Sequence, residues 1–259
     1  MLKYGGNAMA APGDADPLLD DVAERVAAGD RVVLVHGGGP HIDAALAERG
    51  VPTVRAGGLR VTDATTLGVT ESILCASVNK ALVRALVRRG VRAAGLCGED
   101  GGLLVARFAA AEDGVALGFV GEIERVDAAV LEALLTAGFV PVVAPLALAA
   151  DASCALNVNA DTAAGAIAGA LRADAYVVVT NVERVRRERD DSSTGIARLT
   201  IAQAHALLAD GTFDGGMRPK MFGALDALAR GARCAIVAGA GPGALSRALA
   251  GNGTTVVAG

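Results

Sequence analysis

The stretch RVVLVHGGGP at residues 31–40 indicates the fold class of the chain, because an apolar strand pattern runs directly into three glycines and a proline. The glycines end the strand, and a helix follows them as far as Gly50. A strand, a turn and a helix in this order form the repeating unit of a parallel sheet. The same order recurs through most of the sequence.

Strand and helix patterns alternate on both sides of this stretch. Asp16-Pro17 opens a helix that ends at Gly29, and Asp63 opens a long helix that ends at Gly90. Further on, the patterns predict a strand over 91–97, a helix over 127–138, a strand over 139–144, a helix over 160–171, a strand over 175–180, a helix after a Thr200/Gln203 capping box, a helix over about 216–230, and the strands CAIVAG and TTVVA. We predict an α/β protein with a mainly parallel sheet covered by helices on both faces.

Two segments depart from this alternation. Residues 103–123 predict antiparallel strands, LLVARF and VALGFVGEI, joined by an Asp113-Gly114 turn. Residues 133–150 form an uncharged run of about the length of a membrane span, but Pro141 and Pro145 would break such a helix. We predict instead a helix end, a buried strand and then a loop that begins at Pro145.

The composition excludes several classes of protein. The chain has 259 residues, of which 53% are apolar, and this is ample for a large core. A formal charge of -4 leaves no basic surface of the kind that binds nucleic acid. The four cysteines have neither CxxC nor metal-ligand spacing, and the N-terminus has no signal-peptide pattern. We expect a cytoplasmic, soluble protein with no metal ligands of its own, no nucleic-acid partner and no membrane segment.

Glycine-rich turns suggest a bound anion. KYGGNAM at residues 3–9 and GGGP at residues 37–40 both follow apolar strands, where backbone N–H groups can approach phosphate oxygens. Each motif alone is equally well explained as a tight turn, and neither matches the GxGxxG or GxxxxGK fingerprint. Lys3 and Lys220 both lie near glycines in an arginine-rich chain with only a handful of lysines, and lysine is a compact charge suited to phosphate.

Other polar residues have both structural and functional interpretations. NVNAD at residues 157–161 places two amides and a carboxylate at a helix start, where such residues commonly serve as caps. The segment also follows an apolar strand, where parallel sheets bind ligands. Arg60 is either a surface residue or a clamp for a carboxylate. His36 and His41 are interpreted as polar core or loop residues.

The ordered set of motifs resembles a known family. KYGGNAM, VHGGGP, GGLRVTD, VNKALV, GLCGEDGG, VGEI, PVVAP, NVNADTAAGAIAGAL and GGMRPK occur in the order found in acetylglutamate kinases of the amino acid kinase family. The resemblance implies a three-layer αβα sandwich and transfer of the γ-phosphoryl group of ATP to the side-chain carboxylate of N-acetyl-L-glutamate, a step of arginine synthesis. It further implies an N-terminal lobe (1–155) for the acyl amino acid and for homodimer contacts through the long helix, and a C-terminal lobe (156–259) for nucleotide.

The resemblance also implies roles for individual residues. Lys3 and Lys220 would stabilise the transferring phosphoryl group, Asp161 would hold both lysines, and Gly6 and Gly38 would donate backbone hydrogen bonds. The substrate would be bound by Gly38, Gly39, Arg60 and Asn157, and the nucleotide by Asn181, Arg184 and Phe213. Mg²⁺ would arrive on the ATP phosphates, so no protein ligand is assigned to it.

Two departures from the family pattern leave alternatives open. The nucleotide loop reads TNVERV at residues 180–185 where the family usually has TDVPGV. An asparagine in that loop also occurs in related kinases that act on a carrier-linked aminoadipyl or glutamyl group, and a silent sensor of the same fold is the second alternative. Two residues precede Lys3 where relatives with feedback control have an extra helix, and this predicts a homodimer that arginine does not inhibit.

Overall fold

The computed structural model describes residues 1–5, 9, 15–112, 114–188 and 190–258. The strands are β1 (Leu2–Tyr4), β2 (Leu34–His36), β3 (Arg55–Ala56), β4 (Leu59–Arg60), β5 (Ala93–Cys97), β6 (Leu104–Phe108), β7 (Gly121–Val126), β8 (Val140–Ala144), β9 (Leu146–Ala149), β10 (Ala155–Asn157), β11 (Tyr176–Thr180), β12 (Arg198–Thr200), β13 (Ala235–Gly239) and β14 (Thr254–Val257). The α-helices are α1 (Pro17–Ala27), α2 (Gly39–Glu48), α3 (Ala64–Glu71), α4 (Asn79–Arg88), α5 (Ala129–Thr136), α6 (Ala160–Ala170), α7 (Ile201–Ala209), α8 (Met217–Ala229) and α9 (Ala244–Leu249).

An eight-stranded sheet forms the centre of the described chain, in the order β12-β14-β13-β11-β1-β2-β8-β5. Its strand pairs are parallel apart from β13 with β14, which is antiparallel. β1 lies in the middle, where Lys3 is in register with Val178 on one side and Val35 on the other. The mainly parallel sheet is therefore confirmed, and it places Lys3 near the centre of the molecule.

Both faces of this sheet are covered by helices. Leu34 of β2 belongs to a buried cluster with Leu19 of α1 and Leu82 of α4. Its neighbour Val35 belongs to a second buried cluster, which includes Ile167 of α6. Because successive strand residues point to opposite faces, the two clusters lie on the two sides of the sheet. This confirms the three-layer αβα arrangement.

A second, smaller sheet has the order β10-β9-β6-β7. β6 and β7 are antiparallel, as predicted for the segment after residue 103. β9 begins at Leu146, directly after Pro145, so the predicted loop at this proline is wrong. Proline lacks the N–H that a ladder needs, but it is tolerated just before a strand. Of the predicted Asp113-Gly114 turn, Asp113 lies outside the described residues.

The second predicted hairpin strand begins later than expected, at Gly121, because the residues before it bind Thr62 instead. The Thr62 N–H donates to the Leu117 carbonyl at 2.9 Å, and the Phe119 N–H donates to the Thr62 carbonyl at 2.7 Å. Gly118 has a φ of +68°, and a Cβ at this position would lie 2.3 Å from the Thr62 oxygen. The chain therefore turns at a glycine to meet the segment before α3.

The long helix predicted after Asp63 is present, but its central part is π-helical rather than α-helical. The Asp63 carboxylate accepts a hydrogen bond from the Thr66 N–H at 2.7 Å and so caps α3. The helix then continues through a π-helical segment, Ser72–Val78, into α4. Such segments are rare and are frequently found at functional sites. This one lies against the glycine turn after β2, since a Cβ on Gly38 would lie 2.5 Å from Leu74 Cδ2.

The uncharged run over residues 133–150 is divided among α5, β8 and β9. β8 is buried along its whole length, as predicted for this part of the run. Across the ranges that the structure describes, every helix is too short or too polar to cross a membrane.

Candidate active site

A cavity of about 760 Å³ opens at the carboxyl ends of the central parallel strands, where such sheets bind ligands. Gly5, Gly37 and Asn181, which directly follow β1, β2 and β11, are among its lining residues. Every predicted site residue in the described ranges lines the cavity; these are Lys3, Gly38, Gly39, Arg60, Asn157, Asp161, Asn181, Arg184, Phe213 and Lys220. Gly6, the remaining predicted residue, lies outside the described residues.

Three charged side chains meet in this cavity. The Lys3 ammonium lies 2.9 Å from Asp161 Oδ1, and the Lys220 ammonium lies 3.4 Å from Asp161 Oδ2. Lys3 and Asp161 are each only 4% exposed. Burial lowers the pKa of Lys3, the Asp161 carboxylate raises it and the Lys220 ammonium lowers it. One carboxylate therefore holds two ammonium groups together, and an anion would neutralise the remaining positive charge.

The local structure explains how Asp161 is held. Asn159 caps α6 by accepting a hydrogen bond from the Asp161 N–H at 2.8 Å, so the interpretation as a helix cap is correct for this asparagine. The Tyr176 hydroxyl donates to the Asp161 carbonyl at 3.0 Å. A Cβ on Gly223 of α8 would lie 2.4 Å from the same carbonyl, so α6 and α8 approach closely only because this residue is glycine. α8 also carries Lys220, and this helix contact thus sets the distance between Lys220 and Asp161.

The glycine turn after β2 presents the start of α2 to the cavity. The Gly37 N–H donates to the Tyr4 carbonyl at 2.9 Å, and this ties the turn to β1. Within the described part of the chain, no side chain caps the first turn of α2, which Gly38 precedes. Uncapped N–H groups and the positive end of a helix dipole attract anions. The turn therefore has the uncapped helix start that an anion site requires, and phosphate binding here stays a prediction.

Arg60 is a buried side chain held in one orientation. Its guanidinium donates to Asp43 at 2.6 Å, to Thr53 at 3.2 Å and to the Gly39 carbonyl at 3.3 Å. Burial raises the pKa of Asp43, but the Arg60 and Arg55 charges and the Thr53 hydroxyl hold it below its usual range. Asp43 was not predicted, although it lies one helical turn after Gly39 and hence on the same face of α2.

Asn157 lies on the same side of the cavity as Arg60. Its side-chain amide donates to the Thr62 hydroxyl at 3.1 Å, and that hydroxyl donates to the Arg60 carbonyl at 2.8 Å. The Asn157 oxygen is a possible acceptor for an amide N–H of a ligand. We refer to Gly39, Arg60 and Asn157 as the Arg60 side of the cavity.

The opposite wall, the Arg184 side, consists of Asn181, Arg184 and Phe213. Asn181 and Arg184 are exposed at the rim, whereas Phe213 is 2% exposed and packs in the core. Arg186, which was predicted to belong to a solvated loop, also lines this wall. The charges of a loop give no information about which way each side chain points, so sequence reasoning missed it.

The cavity as a whole is positively charged. Six cationic side chains line the described part of it: Lys3, Arg55, Arg60, Arg184, Arg186 and Lys220. Three acidic side chains also line it: Asp43, Asp161 and Asp214. Focused positive charge in a cleft favours anionic ligands. The arrangement therefore fits a ligand that carries several negative charges.

The chain is similar to several known proteins. The chain is 42% identical over 246 residues to an acetylglutamate kinase of Thermosynechococcus vestitus, covering 95% of this chain and 82% of that protein. It is 42% identical to an acetylglutamate kinase of Acidiphilium cryptum, covering 92% of this chain and 81% of that protein. A crystal structure of N-acetylglutamate synthase from Neisseria gonorrhoeae with coenzyme A and N-acetyl-glutamate is similar with a TM-score of 0.82 and 26% identity, over 100% of this chain and 59% of that one.

A sequence profile of the amino acid kinase family matches residues 1–238. This range contains both lysines, the aspartate between them and all other predicted site residues. The match therefore covers the whole cavity described above and nearly all of the central sheet. The chain belongs to the amino acid kinase family.

Proposed function

We propose that the protein transfers the γ-phosphoryl group of ATP to the side-chain carboxylate of N-acetyl-L-glutamate, giving an acyl phosphate in arginine biosynthesis. The observation that carries this proposal is the cluster of Lys3, Asp161 and Lys220 in a cavity with a buried arginine on one wall. The identity of the substrate is inferred from the relatives, which are named acetylglutamate kinase.

The chemistry needs no general base. A carboxylate with an ordinary pKa of about 4.3 is ionised at neutral pH and is itself the nucleophile. One of its oxygens forms a bond to the γ-phosphorus while the bond from that phosphorus to the bridging oxygen breaks, and ADP leaves. The protein has to align the two reactants and stabilise negative charge on the transferring group.

Lys3 and Lys220 would supply that stabilisation. Asp161 holds their ammonium groups at the distances given above, so they need no rearrangement when charge develops. The Gly38 N–H at the start of α2 would donate a further hydrogen bond, and Gly6 is proposed to do the same. Fixed donors in a buried site are more effective than water because their orientation is already set.

The Arg60 side would bind the acyl amino acid. The Arg60 guanidinium has five N–H donors, and those not engaged by Asp43, Thr53 and Gly39 remain to bind an α-carboxylate. Asn157 and the backbone of Gly38 and Gly39 would complete the pocket. A site built to pair with an acetamido group rejects an amine at the same position, because its own polar groups are then left unpaired.

The Arg184 side would bind the nucleotide. Arg184 and Arg186 would lie near its phosphates, and the buried edge of Phe213 would close the wall. Among the described residues no three His, Cys, Asp or Glu side chains form a cation site, so Mg²⁺ would be held mainly by the phosphates. In this arrangement residues 1–155 serve mainly the acceptor and residues 156–259 mainly the nucleotide, and the central sheet runs through both.

We also propose a homodimer that forms through α3, the π-helical segment and α4. This assembly is the one that the resemblance to acetylglutamate kinases implies, and the exposed Val87 of α4 would lie within its interface. Light scattering should then give about twice the 25.7 kDa of one chain. A mass of one chain at micromolar concentration would reject this assembly.

The substrate is tested by measuring ADP release in parallel with N-acetyl-L-glutamate, L-glutamate and L-aspartate. We expect a rate with N-acetyl-L-glutamate at least about a hundredfold above the rates with the two free amino acids. Equal rates with L-glutamate would reject the acetamido pocket. Turnover only with a carrier-linked glutamyl or aminoadipyl group would favour the related carrier-dependent kinase, and nucleotide binding without turnover would favour a silent sensor.

A further inference from the structure

His36 lies beneath the glycine turn and makes two hydrogen bonds there. It is the last residue of β2 and is fully buried. Its Nδ1 is 2.9 Å from the Gly37 carbonyl oxygen, and its Nε2 is 3.2 Å from Asn79 Nδ2. A carbonyl oxygen has no hydrogen to donate, so Nδ1 carries the proton. Nε2 then has a free lone pair and accepts a hydrogen bond from Asn79.

The orientation of Asn79 is fixed from the other side. Asn79 is the first residue of α4, directly after the π-helical segment, and it is fully buried. Its Nδ2 lies 2.8 Å from the Val142 carbonyl and 3.2 Å from the Leu96 carbonyl, and its Oδ1 accepts from Lys80 at 3.1 Å. Turning the amide over would place its oxygen against two carbonyl oxygens, so the amide keeps this orientation. Its two N–H groups are shared among three acceptors, the Val142 and Leu96 carbonyls and His36 Nε2.

Space for this contact depends on one glycine. A Cβ on Gly95 of β5 would lie 2.0 Å from Asn79 Oδ1 and 2.6 Å from Lys80 Nζ. The Lys80 ammonium also donates to the Gly95 carbonyl at 2.9 Å. The backbones of β5 and β8, the last two strands of the large sheet, therefore hold the Asn79 amide.

We infer that His36, oriented by Asn79, is a positioning residue that aims the Gly38 N–H at the transferring phosphoryl group. The Gly37 N–H is tied to the Tyr4 carbonyl, and the Gly37 carbonyl is tied to His36. Because a trans peptide places its carbonyl and the next N–H on opposite sides, a Gly37 carbonyl that points down to His36 turns the Gly38 N–H up to the cavity. This inference rests on the proposed phosphoryl transfer.

The surroundings of His36 keep it neutral. Burial lowers its pKa to about 4, the Gly37 carbonyl acts in the opposite direction, and His41 and Lys80 lower it further. A proton on Nε2 would face the Asn79 N–H and break the contact. His36 therefore serves as a fixed donor throughout the neutral range and takes no part in proton transfer.

Two substitutions separate positioning from packing. His36→Phe keeps a ring in the core but removes the donor to the Gly37 carbonyl, whereas His36→Asn keeps an N–H at nearly the position of Nδ1. We expect His36→Phe to lower kcat by about tenfold to a hundredfold while KM for N-acetyl-L-glutamate changes by less than about threefold. His36→Asn should recover most of the lost kcat. Equal losses in the two variants, or a loss that appears in KM alone, would reject the inference.

The tautomer gives a test that needs no variant and no substrate. In ¹⁵N-labelled wild-type protein, the ring nitrogens of His36 should show a protonated Nδ1 and an unprotonated Nε2 from pH 8 down to pH 5. A protonated Nε2, or titration of the ring near pH 6.5, would overturn the inference. Because this readout is independent of turnover, it tests the contact of Nδ1 with the Gly37 carbonyl even if His36→Phe does not fold. A failure of the proposed reaction would leave this readout unchanged, so the two failures can be told apart.

Discussion

The two sides of the cavity differ in how far they are organised before any ligand arrives. On the Arg60 side, a side chain that is 5% exposed is fixed by three hydrogen bonds, and the neighbouring glycine turn is tied to β1. On the Arg184 side, the two polar side chains are exposed at the rim. A fixed pocket discriminates between similar ligands, whereas an exposed loop adapts to its ligand. We therefore expect selectivity to reside mainly in the acceptor site.

The largest effect is expected where the two sides meet. Lys220→Ala removes a cation proposed to act on the transferring group, so kcat should fall by about a hundredfold or more with little change in either KM. Lys3→Ala should behave in the same way. Arg218→Ala is a matched control, because Arg218 lies on the same helix and stacks on the exposed Phe222. Near-normal kcat in a lysine variant would remove that lysine from the mechanism.

The Arg60 side should control affinity for the acceptor alone. Arg60→Ala should raise KM for N-acetyl-L-glutamate by about tenfold to a hundredfold, as expected for loss of charge-assisted hydrogen bonds, and leave KM for ATP unchanged. Asp43→Asn should raise this KM by a smaller factor, because the substitution only weakens the hydrogen bond that orients Arg60. Arg55→Ala provides the control, since Arg55 binds the same carboxylate from an exposed position. An equal rise in both KM values would contradict separate binding sides.

Burial of His36 under the glycine turn should make the free energy of unfolding depend on pH. His36 has a pKa of about 4 in the folded protein and about 6.5 when unfolded, so the unfolded chain takes up the proton first as the pH falls. Between pH 6.5 and pH 4, the free energy of unfolding of the wild-type protein should therefore fall by about 1.4 kcal/mol per pH unit more than that of His36→Asn. Denaturant titrations of both proteins at pH 7, 6 and 5 measure this difference. Parallel slopes would show that His36 titrates normally.

The smallest effect is expected on the Arg184 side. If the exposed Arg184 lies near the nucleotide phosphates, Arg184→Gly should raise KM for ATP by up to about fivefold, and the effect should weaken with salt. KM for N-acetyl-L-glutamate should not change. Arg187→Gly tests a neighbouring exposed cation that does not line the described cavity. Identical results for the two variants would place Arg184 in solvent.

The sequence predicted most of the sheet because strands and helices depend on local signals, whereas the central cluster was expected only from the resemblance of the ordered motifs to a known family. Apolar runs, helix caps such as Asp63 and the order of the motifs are visible in one dimension. The π-helical segment was not predicted, since it has no distinctive composition and depends on packing against the glycine turn. β9 was taken for a loop because a proline precedes it, and only its pairing with β6 and β10 makes it a strand.

The supporting residues were harder to predict than the residues they support. Lys3 and Lys220 stand beside glycines in the sequence, whereas Asn79 lies 43 residues from His36 and meets it only after folding. Asp43 was similarly hidden, because its partner Arg60 lies 17 residues away on a separate strand. Contacts of this kind depend on the tertiary structure, and local patterns carry no record of them.

The central claim is that an acyl amino acid bound on the Arg60 side receives a phosphoryl group on its side-chain carboxylate from a nucleotide bound on the Arg184 side. Trapping with hydroxylamine tests it most directly, because an acyl phosphate yields a hydroxamate. With N-acetyl-L-glutamate and ATP, we predict one hydroxamate formed for each ADP released by the wild-type protein, and both products reduced together by about a hundredfold in Lys220→Ala. ADP release without hydroxamate would contradict the account.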